Sequence, residues 1–256
     1  MADAVHTMRR LLADLRVGIS LCTRVPLAPA AAVDDGEVAR ASWTFPIAGF
    51  VVGLAGAFVY WFAVRLHVPP EPAAALALTA TVVFTGAMHE DGLADTADAL
   101  GGSTREQKLQ IMRDSRIGTF GTAALALSLL LRWAALAGMN GPGPATAALI
   151  AAHVAARAAL PAFMHAIPPA RADGLSTSAG RPPQQSVVVS LALGILCLLF
   201  AFGPKLAIIA LLMLALAALV LARLAVRQIG GQTGDVLGAQ EQIGEAILLL
   251  IASTMI

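Results

Sequence analysis

Three aspartates with helical spacing are the strongest chemical signal in the sequence. Asp91, Asp95 and Asp98 lie four and three residues apart at the end of an apolar run, which places them on one face of a helix. At an effective dielectric constant near 20, two carboxylates ~6 Å apart repel by about 3 kcal/mol. Oxygen ligands with no nearby cysteine suit Mg²⁺, which commonly shares carboxylates with substrate phosphates. The spacing therefore predicts a magnesium site for a diphosphate; a solvated acidic cap on a membrane helix is the alternative.

A second polar motif, RDSRIGTFG at 113–121, precedes another apolar run. Arg113 and Arg116, followed by small hydroxyl and glycine residues at a helix start, are typical of an anion site. The alternative is that both arginines only anchor a membrane span.

A third motif, GGQTGDVLGAQEQIGE at 230–245, combines glycines with Thr233 and Asp235. Glu241 and Glu245 follow at a spacing of four, so they share a helix face. Glycine-rich backbone beside acids is typical of phosphate and metal binding, although a loop leading into a helix would also explain it.

Two arginines, Arg132 and Arg157, lie inside apolar runs. A charge near the bilayer centre costs about 2.5–3.5 kcal/mol on insertion scales. We expect Arg157 to reach a substrate phosphate or an acid. Arg132, which is nearer the outer side, is expected to extend to the membrane surface. His89 precedes the aspartates and is a candidate general base, with an interfacial position as the simpler explanation.

The elements that must position these residues are membrane helices. The chain has 256 residues, 58% apolar and 13% charged, whereas soluble domains carry about 25% charged residues. This composition predicts an all-α, polytopic helical bundle forming a single membrane domain over 1–256. An amphipathic helix near 8–22 is expected either to lie in the membrane surface or to pack on the bundle as a solvated helix. We expect 6–7 transmembrane helices. The seven candidate spans are 45–66, 72–89, 117–138, 145–167, 186–203, 205–224 and 243–256, and the last of them is the weakest prediction.

Basic residues between these spans are distributed unevenly. If the spans alternate, two basic residues (Arg65 and Lys205) fall on one side and thirteen on the other: Arg9, Arg10, Arg16, Arg24, Arg40, Arg105, Lys108, Arg113, Arg116, Arg171, Arg181, Arg223 and Arg227. We therefore expect a cytoplasmic N-terminus, with every polar motif on the cytoplasmic face. The net charge of +1 gives no reason to expect nucleic-acid binding.

Together, the motifs at 89–102, 108–121 and 230–239 resemble those of the cobalamin synthase family, the adenosylcobinamide-GDP ribazoletransferases. TRVP at 23–26 and WTFPIAGFVVG at 43–53 also fit. The resemblance implies a multi-pass enzyme of the bacterial inner membrane that joins adenosylcobinamide-GDP to α-ribazole or α-ribazole 5′-phosphate. The products are adenosylcobalamin, or its 5′-phosphate, and GMP, with Mg²⁺ required.

On this resemblance, Asp91, Asp95 and Asp98 are the expected metal ligands. Asp235 is a candidate fourth ligand or proton acceptor, and His89 is the other catalytic candidate. The expected substrate-binding residues are Arg113, Arg116, Arg157 and Thr233. Glu90 departs from the family pattern and lies off the face of the aspartates, so we leave it outside the site. The partners are these substrates and the lipid bilayer, and a homo-oligomer is left open.

Two other functions are compatible with parts of the sequence. Another diphosphate-using membrane transferase, for example of the CDP-alcohol type, would share the metal site, but Asp91-Gly92 is followed by Leu-Ala-Asp and does not continue as the Asp-Gly-x-x-Ala-Arg run of those enzymes. A transporter would explain acids and glycines in membrane segments. The sequence has no second copy of the three aspartates, however, which argues against transport.

Overall fold

The computed structural model describes residues 2–27 and 36–255, and regular structure in these ranges is helical. Three short 3-10 segments and one isolated bridge, between Pro169 and Gln232, accompany the α-helices. The α-helices are α1 (Ala2–Cys22), α2 (Glu37–Ala41), α3 (Phe45–Arg65), α4 (Pro70–Thr85), α5 (Met88–Asp98), α6 (Arg105–Ile111), α7 (Thr119–Ala137), α8 (Pro142–Ala158), α9 (Leu160–Ala166), α10 (Leu175–Ala179), α11 (Gln184–Ile229) and α12 (Gly234–Ala252).

Long apolar helices confirm the prediction of an all-α polytopic membrane protein. In the described ranges, five helical segments are long and apolar enough to cross a membrane: Glu37–Arg65, Thr119–Ala137, Pro142–Ala166, Gln184–Ile229 and Gly234–Met255. The pair α4 and α5 brings the number to six if it is counted as one bent span. Its helices meet at 88°, because Gly86 and Ala87 both adopt left-handed backbone conformations there.

Helix α11 is interrupted at Gly203, where φ is 71° and ψ is 170°, immediately before Pro204. Leu191 and Leu219 line the same apolar cavity of about 450 Å³. On a straight helix, 28 residues would separate them by about 42 Å. The two arms of α11 therefore fold back on each other, consistent with the separate spans expected at 186–203 and 205–224.

Small residues allow the central helices to approach closely. A Cβ atom at Gly53 of α3 would lie 2.7 Å from Ile150 Cα of α8, and one at Gly49 would collide with the carbonyl of His153. The backbones of α3 and α8 are therefore nearly in contact. The core around them is rich in alanine and contains the buried Tyr60 and Leu149.

The two terminal helices differ in how well they were predicted. Helix α1 includes the helix expected at 8–22 and exposes Leu11 and Leu12. The start expected for the last span, 243, is wrong, because α12 already begins at Gly234. Thr233 caps it by accepting a hydrogen bond from the Val236 N–H at 3.3 Å. The polar residues Gln240, Glu241, Gln242 and Glu245 are therefore part of α12 and are buried.

Candidate active site

Three polar stretches of the sequence, residues 89–118, 168–185 and 227–245, meet at one end of the bundle. The Arg105 guanidinium donates to the Ile229 carbonyl at 2.8 Å and also bonds the Ala170 carbonyl. Gln232 donates its N–H to the Pro168 carbonyl at 2.8 Å and accepts one from Ala170 at the same distance. Residues 89–118, 168–185 and 227–245 therefore form one polar region, hereafter the polar end.

Helix α5 presents its aspartates beside the start of α12. A Cβ atom at Gly92 would lie 2.8 Å from the Asp235 carbonyl oxygen and 3.1 Å from Gly238 Cα. Glycine at 92 and 238 thus allows the two helices to touch through their backbones. This contact brings Asp91 of α5 and Asp235 of α12 to the same cavity.

That cavity, hereafter the site cavity, has a volume of about 190 Å³. Its polar lining consists of His89, Asp91, Arg171, Ser176 and Asp235. The rest of its wall is mainly apolar and comes from α1, α2, α3, α5, α9, α10 and α12. Two carboxylates and a guanidinium around one small cavity are suited to bind a phosphate ester together with a cation.

The other two aspartates of α5 have different surroundings. Asp95 lies outside the cavity lining, half-buried, where the carboxylates of Asp91, Asp98 and Asp235 repel it. Asp98 is buried and accepts hydrogen bonds from the N–H groups of Gly118 at 2.6 Å and Gly121 at 2.8 Å. The anion site expected at the start of α7 is therefore occupied by the side chain of Asp98.

Helix geometry places the three aspartates along one stripe of α5, as expected, but their oxygens do not converge. In the described parts of the chain, one group of acids and histidines has ligand atoms all within 4.8 Å of one another, and it is His153, Glu241 and Glu245. The Arg157 guanidinium contacts both of these carboxylates and already supplies a positive charge there. Metal binding by Asp91, Asp95 and Asp98 stays a prediction.

The donor set at the site cavity nevertheless fits Mg²⁺. This ion usually takes one or two carboxylates together with waters and substrate phosphates, rather than a full cage of protein ligands. Asp91 and Asp235 offer two such carboxylates at the cavity wall, and the half-buried Asp95 adds negative charge nearby.

Behind the cavity lies a buried ion cluster, which we define as Glu90, Arg132, Arg157, Glu241 and Glu245. Arg132 is fully buried, donates to Glu245 at 2.9 Å and contacts Glu90 at 3.4 Å. The expectation that Arg132 reaches the membrane surface is therefore wrong, because two carboxylates inside the bundle neutralise it. Arg157 is also buried, as expected for a residue that reaches an acid, and donates to Glu245 at 3.0 Å.

His89 connects this cluster to the site cavity. Its buried ring lines the cavity, and its Nδ1 atom lies 3.4 Å from an Arg157 nitrogen and 3.9 Å from a Glu241 oxygen. The predicted substrate-binding residue Arg157 thus lies one side chain away from the cavity. His153 completes the surroundings by contacting Glu245.

The remaining predicted residues lie at the polar end. Thr233 is buried, and its hydroxyl donates to the Asp235 carboxylate at 3.1 Å, which fixes the orientation of that acid. Arg113 forms an exposed ion pair with Asp173 at 2.7 Å. Arg116 pairs with Asp114 in the same way and is largely exposed.

Sequence reasoning missed two charged residues here. Arg171 has one guanidinium nitrogen buried without a hydrogen-bond partner and another 4.0 Å from Asp235. The sequence analysis predicts Arg171 only as a charge in a loop, because no spacing around it indicates a site. Glu90 lies outside the lining of the site cavity, as expected, but its contact with the buried Arg132 is not predicted by the sequence analysis.

Comparison with known proteins identifies the family of the chain. The chain is 57% identical over 254 residues to an adenosylcobinamide-GDP ribazoletransferase of Bradyrhizobium diazoefficiens, covering 99% of this chain and 98% of that protein. The corresponding identities are 48% over 246 residues for a protein of the same name from Mesorhizobium japonicum, covering 96% and 94%, and 44% over 252 residues for one from Azorhizobium caulinodans, covering 94% and 95%. No solved structure matches the chain. The profile of one family, cobalamin-5-phosphate synthase, matches residues 14–253, and the chain belongs to that family.

Proposed function

We propose that the protein transfers the cobinamide phosphate of adenosylcobinamide-GDP to α-ribazole or α-ribazole 5′-phosphate. The proposal draws the substrates from the names of the relatives and from the sequence motifs. The structural observation that supports it is the site cavity, which Asp91, Asp235 and Arg171 all line. A guanidinium can bind a phosphate ester, and two carboxylates can bind the divalent cation that accompanies it.

The proposed reaction is a substitution at phosphorus. A ribose hydroxyl oxygen of the acceptor forms a bond to the phosphorus on the cobinamide side. The bond from that phosphorus to the bridging oxygen breaks, and GMP leaves with the bridging oxygen and the electron pair. The hydroxyl proton passes to a base of the protein.

Two residues are our candidates to take that proton. Asp235 lines the cavity and is oriented by the Thr233 hydroxyl. His89 also lines the cavity, and the Arg157 guanidinium contacts its ring. Because Arg157 and Glu241 border the ring on its buried side, they limit its movement and keep it directed to the cavity.

Cations of the chain are proposed to hold the diphosphate. Arg171 has a guanidinium nitrogen without a partner, and Arg113 and Arg116 carry exposed charges at the polar end. Mg²⁺, when bound by Asp91 and Asp235 with support from Asp95, would neutralise the diphosphate and the leaving GMP. Asp98 would contribute to this site through the electrostatic field, since its oxygens already accept two backbone hydrogen bonds.

We also propose that the polar end faces the cytoplasm in the bacterial inner membrane. Most basic loop residues of the sequence fall on this side if the helices cross the bilayer alternately. Both nucleotide substrates are water-soluble at their reacting ends, so a cytoplasmic site gives them direct access. The N-terminus of α1 would then also be cytoplasmic.

Purified protein in lipid vesicles provides the test of this function. With adenosylcobinamide-GDP, α-ribazole and Mg²⁺, we expect equal amounts of corrinoid product and GMP, and none when a chelator removes the metal. A lipid alcohol offered in place of α-ribazole should give no GMP. Release of GMP with the lipid alcohol, or none with α-ribazole, would contradict the proposal.

A further inference from the structure

The lining of the site cavity combines a polar set of residues and an apolar set with different chemistry. His89, Asp91, Arg171, Ser176 and Asp235 form the polar set. Within the apolar set, we call Val38, Phe45, Leu160, Met164, Ala179 and Leu237 the base pocket. Five of these six residues also belong to one buried hydrophobic cluster, with Leu237 packed against it. The interior of a protein rarely leaves space between core side chains, so an opening inside such a cluster suggests a ligand.

We propose that the base pocket binds the aromatic base of the acceptor nucleoside, and so selects the acceptor by the apolar character of its base. This inference rests on the proposed function, which supplies the class of acceptor. The base of α-ribazole is dimethylbenzimidazole, a flat apolar bicycle with two methyl groups. An apolar wall with one aromatic ring, that of Phe45, is complementary to it.

The size of the cavity supports this assignment. Pockets for whole drug-sized ligands enclose about 300–1,000 Å³, whereas the site cavity encloses about 190 Å³. It therefore holds one ring system with a short polar extension. The corrin macrocycle is far too large for this space and must lie outside it.

The apolar side chains of the base pocket exclude guanine, the base of the other substrate. Guanine carries several hydrogen-bond donors and acceptors at its edges. The side chains of the base pocket have no strong donor or acceptor, so these groups would be buried without partners. Dimethylbenzimidazole has one free ring nitrogen and otherwise presents carbon.

The presence of both sets in one cavity also agrees with the reaction. With its base in the base pocket, the acceptor would keep its ribose within the cavity that Asp91, Asp235 and His89 also line. The attacking hydroxyl is then beside the groups proposed to take its proton. The same cavity would thus bind the acceptor and position its oxygen for transfer.

Substitutions at two positions of the base pocket test the inference in the full-length protein. Met164→Gln keeps the size of the side chain but adds an amide, and Ala179→Leu fills the space with carbon. Both should weaken equilibrium binding of α-ribazole by about tenfold or more and raise its KM similarly, with the KM for adenosylcobinamide-GDP changed less than twofold. Met139→Gln is the matched control, because Met139 is equally buried in a different cluster away from the cavity.

A second ligand makes the prediction specific. The α-linked riboside of adenine should bind the unsubstituted protein at least tenfold more weakly than α-ribazole. In Met164→Gln, the difference in affinity between the two ribosides should be smaller. Because Ala179→Leu retains an apolar pocket, it still tests the inference if Met164→Gln does not fold. Circular dichroism and thermal unfolding identify variants that fold.

The inference is overturned if α-ribazole binds the folded variants as tightly as the unsubstituted protein, or if both ribosides bind that protein equally. It is also overturned if the KM for adenosylcobinamide-GDP rises in place of that for the acceptor. Binding of α-ribazole that depends on Met164, without any GMP release, would instead contradict the proposed function and leave the base pocket supported.

Discussion

Equal spacing in the sequence does not give the three aspartates of α5 equal surroundings. Asp91 is exposed to the site cavity, Asp95 is half-buried among other carboxylates, and Asp98 is buried against the start of α7. The period of the helix predicts the shared face correctly. The different surroundings arise from the helices that pack on that face, and these come from sequence positions far from α5.

Replacing Asp91 or Asp95 by asparagine should reduce turnover at least 100-fold with Mg²⁺ present. The amide keeps the size of the side chain but removes the charge that a cation and a diphosphate require. GMP release from protein in vesicles measures the effect. Glu106→Gln is the control, since this exposed acid lies outside the site cavity. Near-normal turnover in Asp91→Asn or Asp95→Asn would remove that residue from the proposed metal site.

Asp98 is expected to affect stability more than Asp91 does. In Asp98→Ala, the N–H groups of Gly118 and Gly121 lose their acceptor, which should lower the free energy of unfolding by about 1–2 kcal/mol. Thermal unfolding followed by circular dichroism measures this. Asp91→Ala is the matched control and should unfold at nearly the temperature of the unsubstituted protein. Equal unfolding temperatures for Asp98→Ala and the unsubstituted protein would show that the cap contributes little.

At the scale of elements, the contact between α5 and α12 determines the geometry of the site. Asp91 and Asp235 share a cavity only because glycines at 92 and 238 let the two backbones meet. Gly92→Ala adds a methyl group 2.8 Å from a backbone oxygen, which must separate the helices. We expect a loss of about 1–3 kcal/mol in stability and at least a tenfold loss of GMP release.

Gly143→Ala is the control for that substitution, because a methyl group at Gly143 would meet no atom within 4 Å. It should leave both activity and unfolding unchanged. If Gly92→Ala behaves like Gly143→Ala, the close helix contact is not what holds the two carboxylates together.

Predictions of the elements from sequence succeeded where hydropathy alone decides. The spans expected at 45–66 and 117–138 agree closely with α3 and α7. The start of α12 and the position of Arg132 were predicted wrongly for one shared reason. Both depend on polar groups that are buried by partners from other helices, such as Glu245 beside Arg132. A hydropathy window cannot register such a partner, because it reads each segment separately.

At the scale of the whole molecule, the membrane orientation can be tested with one cysteine. Ser103 lies at the polar end, between α5 and α6. Ser103→Cys, with Cys197 replaced by alanine, should react with a membrane-impermeant thiol reagent only from the cytoplasmic side. Burial raises the pKa of the Cys22 thiol to about 11, so Cys22 stays protonated and unreactive at pH 7.5. Labelling of the introduced thiol from the periplasmic side would reverse the proposed orientation.

The buried ion cluster ties distant parts of the chain into one charge balance. Two guanidinium groups, on α7 and α8, face three carboxylates, one on α5 and two on α12. During synthesis, α7 and α8 emerge from the ribosome long before α12, so both arginines must enter the translocon before Glu241 and Glu245 exist. The last helix, α12, therefore supplies carboxylates that neutralise the buried arginines, in addition to packing against the other helices. Nascent chains that stop before Gly234 would hold an uncompensated charge in the bilayer and become substrates for membrane proteases.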